Sequence, residues 1–348
     1  MTRSLIVTAP TRLHFGLLSF GNDGRQFGGA GVMLETPQLK LGLRPATQFT
    51  AAQVPTAQVS TGEADGLPQR VVKFAENWAG HHGLPLPGCE VAVLHCPPQH
   101  VGLGVGTQLG LAVAAGLNAW TKLPEQSAVE LATSVGRGLR SAVGTYGFMG
   151  GGFIVERGKL NEPISPLDCQ IDVPSSWRFV LVRPELDLSV SGAEEQSNFA
   201  QLPPVKAEIT NQLVDILKKE MVPGVATDDF DLFSDGLFRY GQIAGSCFET
   251  IQGGPYNGER ITRVVQCVRQ MGIVGVGQSS WGPTVFAATR DQAEAEKLSR
   301  ELREHLTDFA VEIHVGAPSN TGAHITDSQI DTSLDQRASV SNSNDRKK

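Results

Sequence analysis

The chain has 348 residues, 40% hydrophobic and 19% charged, enough for one large core or two modest ones. Its formal net charge of −7 argues against a general nucleic-acid binder or a protein of anionic membranes, since both need basic surface. The 5 cysteines never pair as C-x-x-C, which argues against a disulfide framework or structural zinc and for free thiols in a reducing cytoplasm, and no run reaches the ~18 apolar residues of a membrane span.

In chain order, Leu5 to Ala9 reads as a strand. Beyond Pro10, alternation of Leu13, Phe15 and Leu17 with Arg12, His14 and Gly16 predicts a further extended segment with Arg12 and His14 on one face. A glycine-dense turn carrying Asn22, Asp23 and Arg25 leads to strands at Val32–Leu34 and Gln38–Leu43, then a polar stretch to Leu67. A helix is predicted over Gln69–Ala79, stopped by Gly80, and a strand over Cys89–His95.

That strand feeds CPPQHVGLGVGTQLGLAVAAGLNAW, Cys96 to Trp120. Gly102, Gly104 and Gly106 alternate with aliphatic residues, and Thr107 stands at the cap position of a helix whose Leu109, Ala112, Val113, Gly116 and Leu117 recur at helical spacing. Alternate glycines permit positive φ and close approach of backbone N–H groups, and the helix dipole adds positive potential, so the segment Gly102, Leu103, Gly104, Val105, Gly106, Thr107, Gln108 is a candidate phosphate or pyrophosphate cradle. Neither common fingerprint is met: the third Rossmann glycine falls on Thr107 or Leu109, and no Lys precedes Thr107 as a Walker loop requires. The competing reading is a glycine-rich turn before a core helix.

Ser127 and Glu130 have capping-box spacing, ahead of a stripe of Leu131, Val135 and Leu139. A second glycine-rich passage, Ser141 to Gly158, precedes a strand at Phe153–Val155. Beyond Trp177 come a strand at Phe179–Arg183, helices over Val205–Glu220, Asp228–Ile251 and Ile261–Met271, a strand at Ile273–Val276, the loop GQSSWGP, a strand at Thr284–Ala288, a helix over Gln292–His305 and a strand at Ala310–Val315. Apart from the extra helices this is the split-βαβ order of a ferredoxin-like layer. The expected division is residues 1–175 as an α+β domain bearing the phosphate loop, 176–326 as a ferredoxin-like domain, and 327–348 as a disordered polar tail.

An α+β half with a P-x-x-x-G-L-G-x-G loop, joined to a ferredoxin-like half with its own glycine loop, resembles the superfamily of galactokinase, homoserine kinase, mevalonate kinase and phosphomevalonate kinase (GHMP kinases). The resemblance implies a two-domain GHMP-kinase-like α+β fold, with a ribosomal S5 domain 2-like first domain and anion holding by Gly102 to Gln108. Two departures stand out. Where many of these kinases carry a catalytic Asp the chain reads Ser141, Ala142, Val143, Gly144, Thr145, Tyr146, and Gly277 to Pro283 replaces a G-x-G-G-G turn.

One branch accommodates both departures. PTRLHFGLL (Pro10–Leu18), GRQFGGAGV (Gly24–Val32), SAVGTYGFMGGGFIV, SGAEEQ (Ser191–Gln196), QGGPY (Gln252–Tyr256) and GQSSWGPTVFA together are similar to the β-ribofuranosylaminobenzene 5'-phosphate synthase family. This likeness implies condensation of phosphoribosyl pyrophosphate with 4-aminobenzoate or 4-hydroxybenzoate, releasing carbon dioxide and pyrophosphate on the way to methanopterin-type one-carbon carriers. It implies Mg²⁺ on the phosphates, no redox or pyridoxal cofactor, and a cytoplasmic homodimer. Such chemistry needs a phosphate clamp, for which Arg25 is nominated, with Arg12 and His14 lining the same pocket. It also needs an aromatic site. Gln278, Ser279 and Ser280 are candidate donors to a carboxylate, Trp281 a stacking partner, and Gln252 with Tyr256 a further pair. The plainer readings are a solvated Arg25, a structural His14 and a core Trp281. Glu194 and Glu195 either cap a helix or help hold a metal, while Asp228, Asp229 and Asp231 read as helix capping. The rival functions are an ATP-dependent small-molecule kinase and a non-catalytic phosphate sensor.

Overall fold

The computed structural model describes residues 3–54, 66–185 and 202–328. The first half contributes strands β1 (Ser4–Ser19), β2 (Phe27–Pro45), β3 (Thr50–Gln53), β4 (Cys89–His95), β5 (Phe153–Glu156) and β6 (Leu167–Ile171), and the second half β7 (Arg178–Pro184), β8 (Val276–Gln278), β9 (Val285–Thr289), β10 (Val311–Gly316) and β11 (His324–Ser328). The helices are α1 (Leu67–His82), α2 (Val105–Thr121), α3 (Ala128–Ser134), α4 (Val143–Gly150), α5 (Ala207–Ile216), α6 (Val222–Ala226), α7 (Phe230–Ser246), α8 (Glu249–Gln252), α9 (Glu259–Gln270) and α10 (Gln292–His305), with a π turn at Leu217–Met221.

One sheet runs in the order β11-β1-β2-β4-β3, with β5 paired to the first stretch of β2 and β6 beyond it. The other runs β10-β7-β9-β8, all antiparallel, which is the ferredoxin-like order expected from the second half. Pro10 does not divide two strands. It falls at a register shift between Ala9 and Thr11 inside one long β1, where its missing N–H interrupts the ladder without ending it. The segments expected at Val32–Leu34 and Gln38–Leu43 likewise belong to a single β2.

Other boundaries move for identifiable reasons. Helix α1 passes Gly80 and stops at Gly83, which takes the left-handed conformation at φ 63. The capping box of Ser127 and Glu130 forms as read, but Gly136 and Gly138 at positive φ end the α3 stripe early and leave Leu139 59% exposed. The passage from Ser141 contains a helix, α4, because its glycines pack closely: a Cβ on Gly147 would sit 2.2 Å from Met33 Sδ. Strand Ile273–Val276 shifts to β8, and Asp327 and Ser328, expected in a disordered tail, pair through β11 with β1. The SGAEEQ stretch with Glu194 and Glu195 lies outside the described residues.

Three cores follow. In the first, α1 and α2 cover one face of the larger sheet, with Trp78, Leu109 and Val113 against Val7, Leu41 and Val91. A Cβ on Gly116 would meet Leu43 Cδ1 at 3.0 Å, so the small residues of α2 let its backbone lie close to the strands. In the third, α9 and α10 cover the smaller sheet. The second core is shared: Phe15, Val32 and Phe153 of the larger sheet pack with Trp177, Phe179, Phe233, Tyr240 and Phe286 from beyond the expected boundary at residue 175. Trp177 is fully buried, donates Nε1–H to Asp228 Oδ1 at 2.9 Å and stacks tilted on Phe233 with ring centroids 5.0 Å apart. Replacing Trp177 with Ala is expected to lower stability by about 3–5 kcal/mol. Urea denaturation should show one transition at lower midpoint; two separated transitions would mean that the halves do not share this core.

Candidate active site

The glycine loop is built by backbone contact. Helix α2 begins after Gly104, three residues before the expected cap at Thr107, because Gly104 takes φ 68 and its carbonyl accepts the N–H groups of Thr107 (3.0 Å) and Gln108 (3.1 Å). A Cβ at Gly104 would lie 2.5 Å from Arg12 Cγ, and one at Gly102 (φ 91) 2.4 Å from Ser279 O. The leading N–H groups of the helix, at Val105 and Gly106, have no acceptor within it and are oriented for an anion. Leu103 and Val105 send their side chains into the shared core, so they can serve a ligand only through the main chain.

Guanidinium groups surround this point. Arg12 NH1 donates to Gly102 O at 3.3 Å, and Arg137 NH2 approaches Thr107 Oγ1 at 3.5 Å. A Cβ on Gly106 would be 2.6 Å from Arg70 NH2 and 3.1 Å from Arg137 NH2. The sequence reading had named neither Arg70 nor Arg137; the available signal was the GRGLR run at 136–140. Arg25 is placed elsewhere. It donates to Gly158 O at 2.7 Å and pairs with Glu162 at 3.1 Å, on the segment after β5.

The second-half loop is stitched onto the first. Ser279 Oγ donates to Gly102 O at 2.7 Å and accepts the His14 N–H at 3.0 Å, while Ser280 N–H donates to His14 O at 3.0 Å. Thr284 Oγ1 donates to Val101 O at 2.6 Å. A Cβ on Gly282 would lie 2.2 Å from Gly102 N, so the two loops touch main chain to main chain. Ser279, expected as a carboxylate donor, is fully buried with its hydroxyl engaged twice within the seam. Gln278 is similarly engaged, donating to Gly282 O at 3.0 Å and accepting Asn257 N–H at 2.8 Å.

On the other side of this seam is a cleft of about 490 Å³, its open mouth included. Its walls gather His14 and Phe15 of β1, Gly241 and Ala244 of α7, and Phe248, Gln252, Tyr256, Gln278, Ser280 and Trp281. Five of the six residues expected at an aromatic site therefore meet here, together with His14; the sixth, Ser279, lies in the seam. The Trp281 ring packs edge-on against Phe248, centroids 5.0 Å apart. Burial, reinforced by the neighbouring Arg12 charge, holds His14 well below its ordinary pKa, so the imidazole is neutral near pH 7. Burial pushes the Tyr256 hydroxyl up to about 12.

A carboxylate does reach the Ser141–Tyr146 passage, from β5. Glu156 is fully buried and accepts hydrogen bonds from Ser141 Oγ (2.6 Å) and Ala142 N–H (2.8 Å) at the start of α4. It is a structural cap, its pKa raised by burial against the opposing effect of those bonds. Asp229 likewise caps α7 by accepting Leu232 N–H. Among the described residues no three His, Cys, Asp or Glu side chains converge as a metal cage, and no helix is long and apolar enough to cross a membrane.

Ser279→Ala should cost about 1–3 kcal/mol by leaving a buried N–H and carbonyl without their partner, measured by denaturant titration. For Glu156 the folded pKa lies above the unfolded value, so its favourable contribution is complete below the unfolded pKa and is lost as pH rises through the folded one. The melting temperature of Glu156→Gln relative to the parent should therefore improve between pH 4 and pH 7; a constant difference would remove Glu156 from this role.

The GHMP kinases C terminal family matches residues 221–308. A β-ribofuranosylphenol 5'-phosphate synthase of Methanothermobacter thermautotrophicus is 29% identical over 306 residues, 84% of this chain and 91% of the relative. Its namesake in Archaeoglobus fulgidus is 27% identical over 341 residues, 88% and 94% of the two chains. Among solved structures, homoserine kinase from Cytophaga hutchinsonii superposes with TM-score 0.62 at 17% identity, covering 93% of this chain and 97% of that one. Mevalonate diphosphate decarboxylase from Staphylococcus aureus gives 0.65 at 14% identity, covering 94% and 98%. These structural likenesses establish the α+β fold with its two sheets, and over most of its length the chain is similar to β-ribofuranosylphenol 5'-phosphate synthases, with a GHMP kinases C terminal match over residues 221–308.

Proposed function

We propose that this chain joins phosphoribosyl pyrophosphate to 4-aminobenzoate or 4-hydroxybenzoate through a carbon–carbon bond, releasing carbon dioxide and pyrophosphate. The observation that carries this reading is the meeting of two chemistries across one seam: an anion cradle with Arg12, Arg70 and Arg137 on one side, and an uncharged, aromatic-walled cleft on the other. The names of the full-length relatives support the same class of transfer.

The bonds balance without a redox partner. Carbon–oxygen cleavage at ribose C1 sends its electron pair away with pyrophosphate, and the ring carbon bearing the carboxylate bonds to C1. The ring–carboxylate bond then breaks, its pair restores aromaticity and carbon dioxide leaves. No proton is gained or lost overall.

In this scheme the main-chain N–H groups at the start of α2 and the nearby guanidinium groups stabilise the departing pyrophosphate. The fixed seam between Gly102 and Ser279 holds donor and acceptor at a constant separation. Among the described residues no cluster of three His, Cys, Asp or Glu side chains could hold a metal by itself, so Mg²⁺ would have to be carried largely by the donor's phosphates, where it would supply charge neutralisation. Arg25, tied to Glu162, is a less direct candidate than Arg12 or Arg137 for the pyrophosphate.

The test is release of labelled carbon dioxide from carboxyl-labelled 4-aminobenzoate, with Mg²⁺ and phosphoribosyl pyrophosphate, and with ATP as the parallel donor. Release should depend on phosphoribosyl pyrophosphate and consume no ATP. Gly241 lines the cleft, and a Cβ there would meet nothing within 4 Å, so Gly241→Leu should fill the cleft without unfolding α7. We expect that variant to lose about a hundredfold or more in rate at unchanged or higher melting temperature. No release from folded protein with either benzoate would overturn the proposal, and ATP consumption would favour the kinase.

A further inference from the structure

A benzoate ring can enter the cleft in two directions, carboxylate inward or carboxylate toward the loop. Resting on the synthase reading above, we infer that the ring enters with its neutral 4-substituent inward, recognised by Tyr256 and His14, and its carboxyl-bearing carbon facing the Gly102–Gln108 loop.

Three observations converge. First, among the described residues that line the cleft there is no Arg, Lys, Asp or Glu. An inward carboxylate would give up water for walls that carry no charged side chain, with Arg12 beyond His14 as its neighbouring charge, whereas an amine or hydroxyl loses far less. Two of the three residues expected to donate to a carboxylate are already committed, Ser279 to Gly102 and His14, and Gln278 to Gly282 and Asn257, which leaves the single hydroxyl of Ser280.

Second, the cationic groups gather at the loop, where Arg12 bonds Gly102 and the Arg70 and Arg137 guanidinium groups flank Gly106. An anionic ring substituent is therefore drawn toward the loop, the side on which the ribosyl donor's C1 has to lie.

Third, His14 Nε2 and Tyr256 Oη are buried polar atoms of cleft residues with no hydrogen-bond partner among the described residues. Their residues are only 3% and 5% exposed, and Gln242 is the polar side chain that reaches toward the tyrosine hydroxyl. Such orphans are costly unless a ligand completes them. A neutral imidazole nitrogen and a protonated phenol can between them accept from and donate to an amine or hydroxyl.

The orientation also serves the chemistry. The 4-substituent feeds its lone pair into the ring as the C–C bond forms, and a hydrogen bond accepted from its N–H or O–H increases that donation. Because the overall reaction moves no proton, neutral partners suffice.

The test is equilibrium binding to the full chain, followed by calorimetry, of 4-hydroxybenzoate and of 4-methylbenzoate, which has the same shape without the polar hydrogen. The parent should bind 4-hydroxybenzoate about tenfold more tightly than 4-methylbenzoate, the scale of one buried hydrogen bond. In Tyr256→Phe, which removes only the orphaned oxygen, that preference should fall to about threefold or less with 4-methylbenzoate affinity unchanged. Equal loss for both ligands would mean that Tyr256 faces the common carboxylate, and an undiminished preference would mean that it touches neither end. Either result overturns the orientation, as would a parent without preference, which decides the matter even if the variant fails to fold. If carbon dioxide release is intact in any of these cases, the synthase reading survives; absence of both release and benzoate binding sinks the two together.

Discussion

The hydroxyl of Ser279 holds this molecule's working parts in register. It accepts the main-chain N–H of His14 and donates to the carbonyl of Gly102, so a strand from the first half, the glycine loop and a turn from the second half meet at one oxygen. Close contact between Gly102 and Gly282 makes that meeting possible, because a side chain on either would collide with the other's backbone. The arginines gather at the glycine loop, whereas the cleft is lined by no charged side chain among the described residues, and main chain closes the seam at Gly102 and Gly282.

The shared core explains why such a seam can stay closed. Phe15, Phe153, Trp177, Phe233 and Phe286 pack across what sequence reading treats as a domain boundary. Movement of one half against the other would have to open that aromatic cluster, a far larger loss than one hydrogen bond. The loops at the site are thus carried by rigid layers on both flanks.

Much of the fold was legible because periodicity and punctuation act locally. The strand at Cys89–His95 and the helix at Gln292–His305 have the boundaries that alternation and capping predict. Errors arose where a distant partner decided. Pro10 looked like a terminator, but pairing of β1 with β2 on both sides of it absorbs the missing donor in a bulge. The glycines of α4 looked like loop, but they are helical because Met33 and the sheet press on them. At the site, glycine spacing pointed to the loop, and the family resemblance led to Gln252, Tyr256, Gln278, Ser280 and Trp281, which the fold brings to one cleft. The resemblance could not separate Ser279 from Ser280, since only the tertiary contact with Gly102 distinguishes them. Arg70 and Arg137 differ in this respect: the GRGLR run at 136–140 is a local hint for Arg137, whereas the approach of both to Gly106 is visible only in the tertiary structure.

The strand β11 bears on how the protein is made. It supplies the outer neighbour of β1, with Ser4 opposite Ser328, so the first strand to leave the ribosome waits for one of the last described residues. At roughly 5–20 residues per second that interval is on the order of tens of seconds. During it, the strand that carries Arg12 and His14 has one unpaired edge and depends on β2 alone. Vectorial synthesis therefore leaves one edge of this scaffold exposed to nascent-chain chaperones until residues 324–328 have been made.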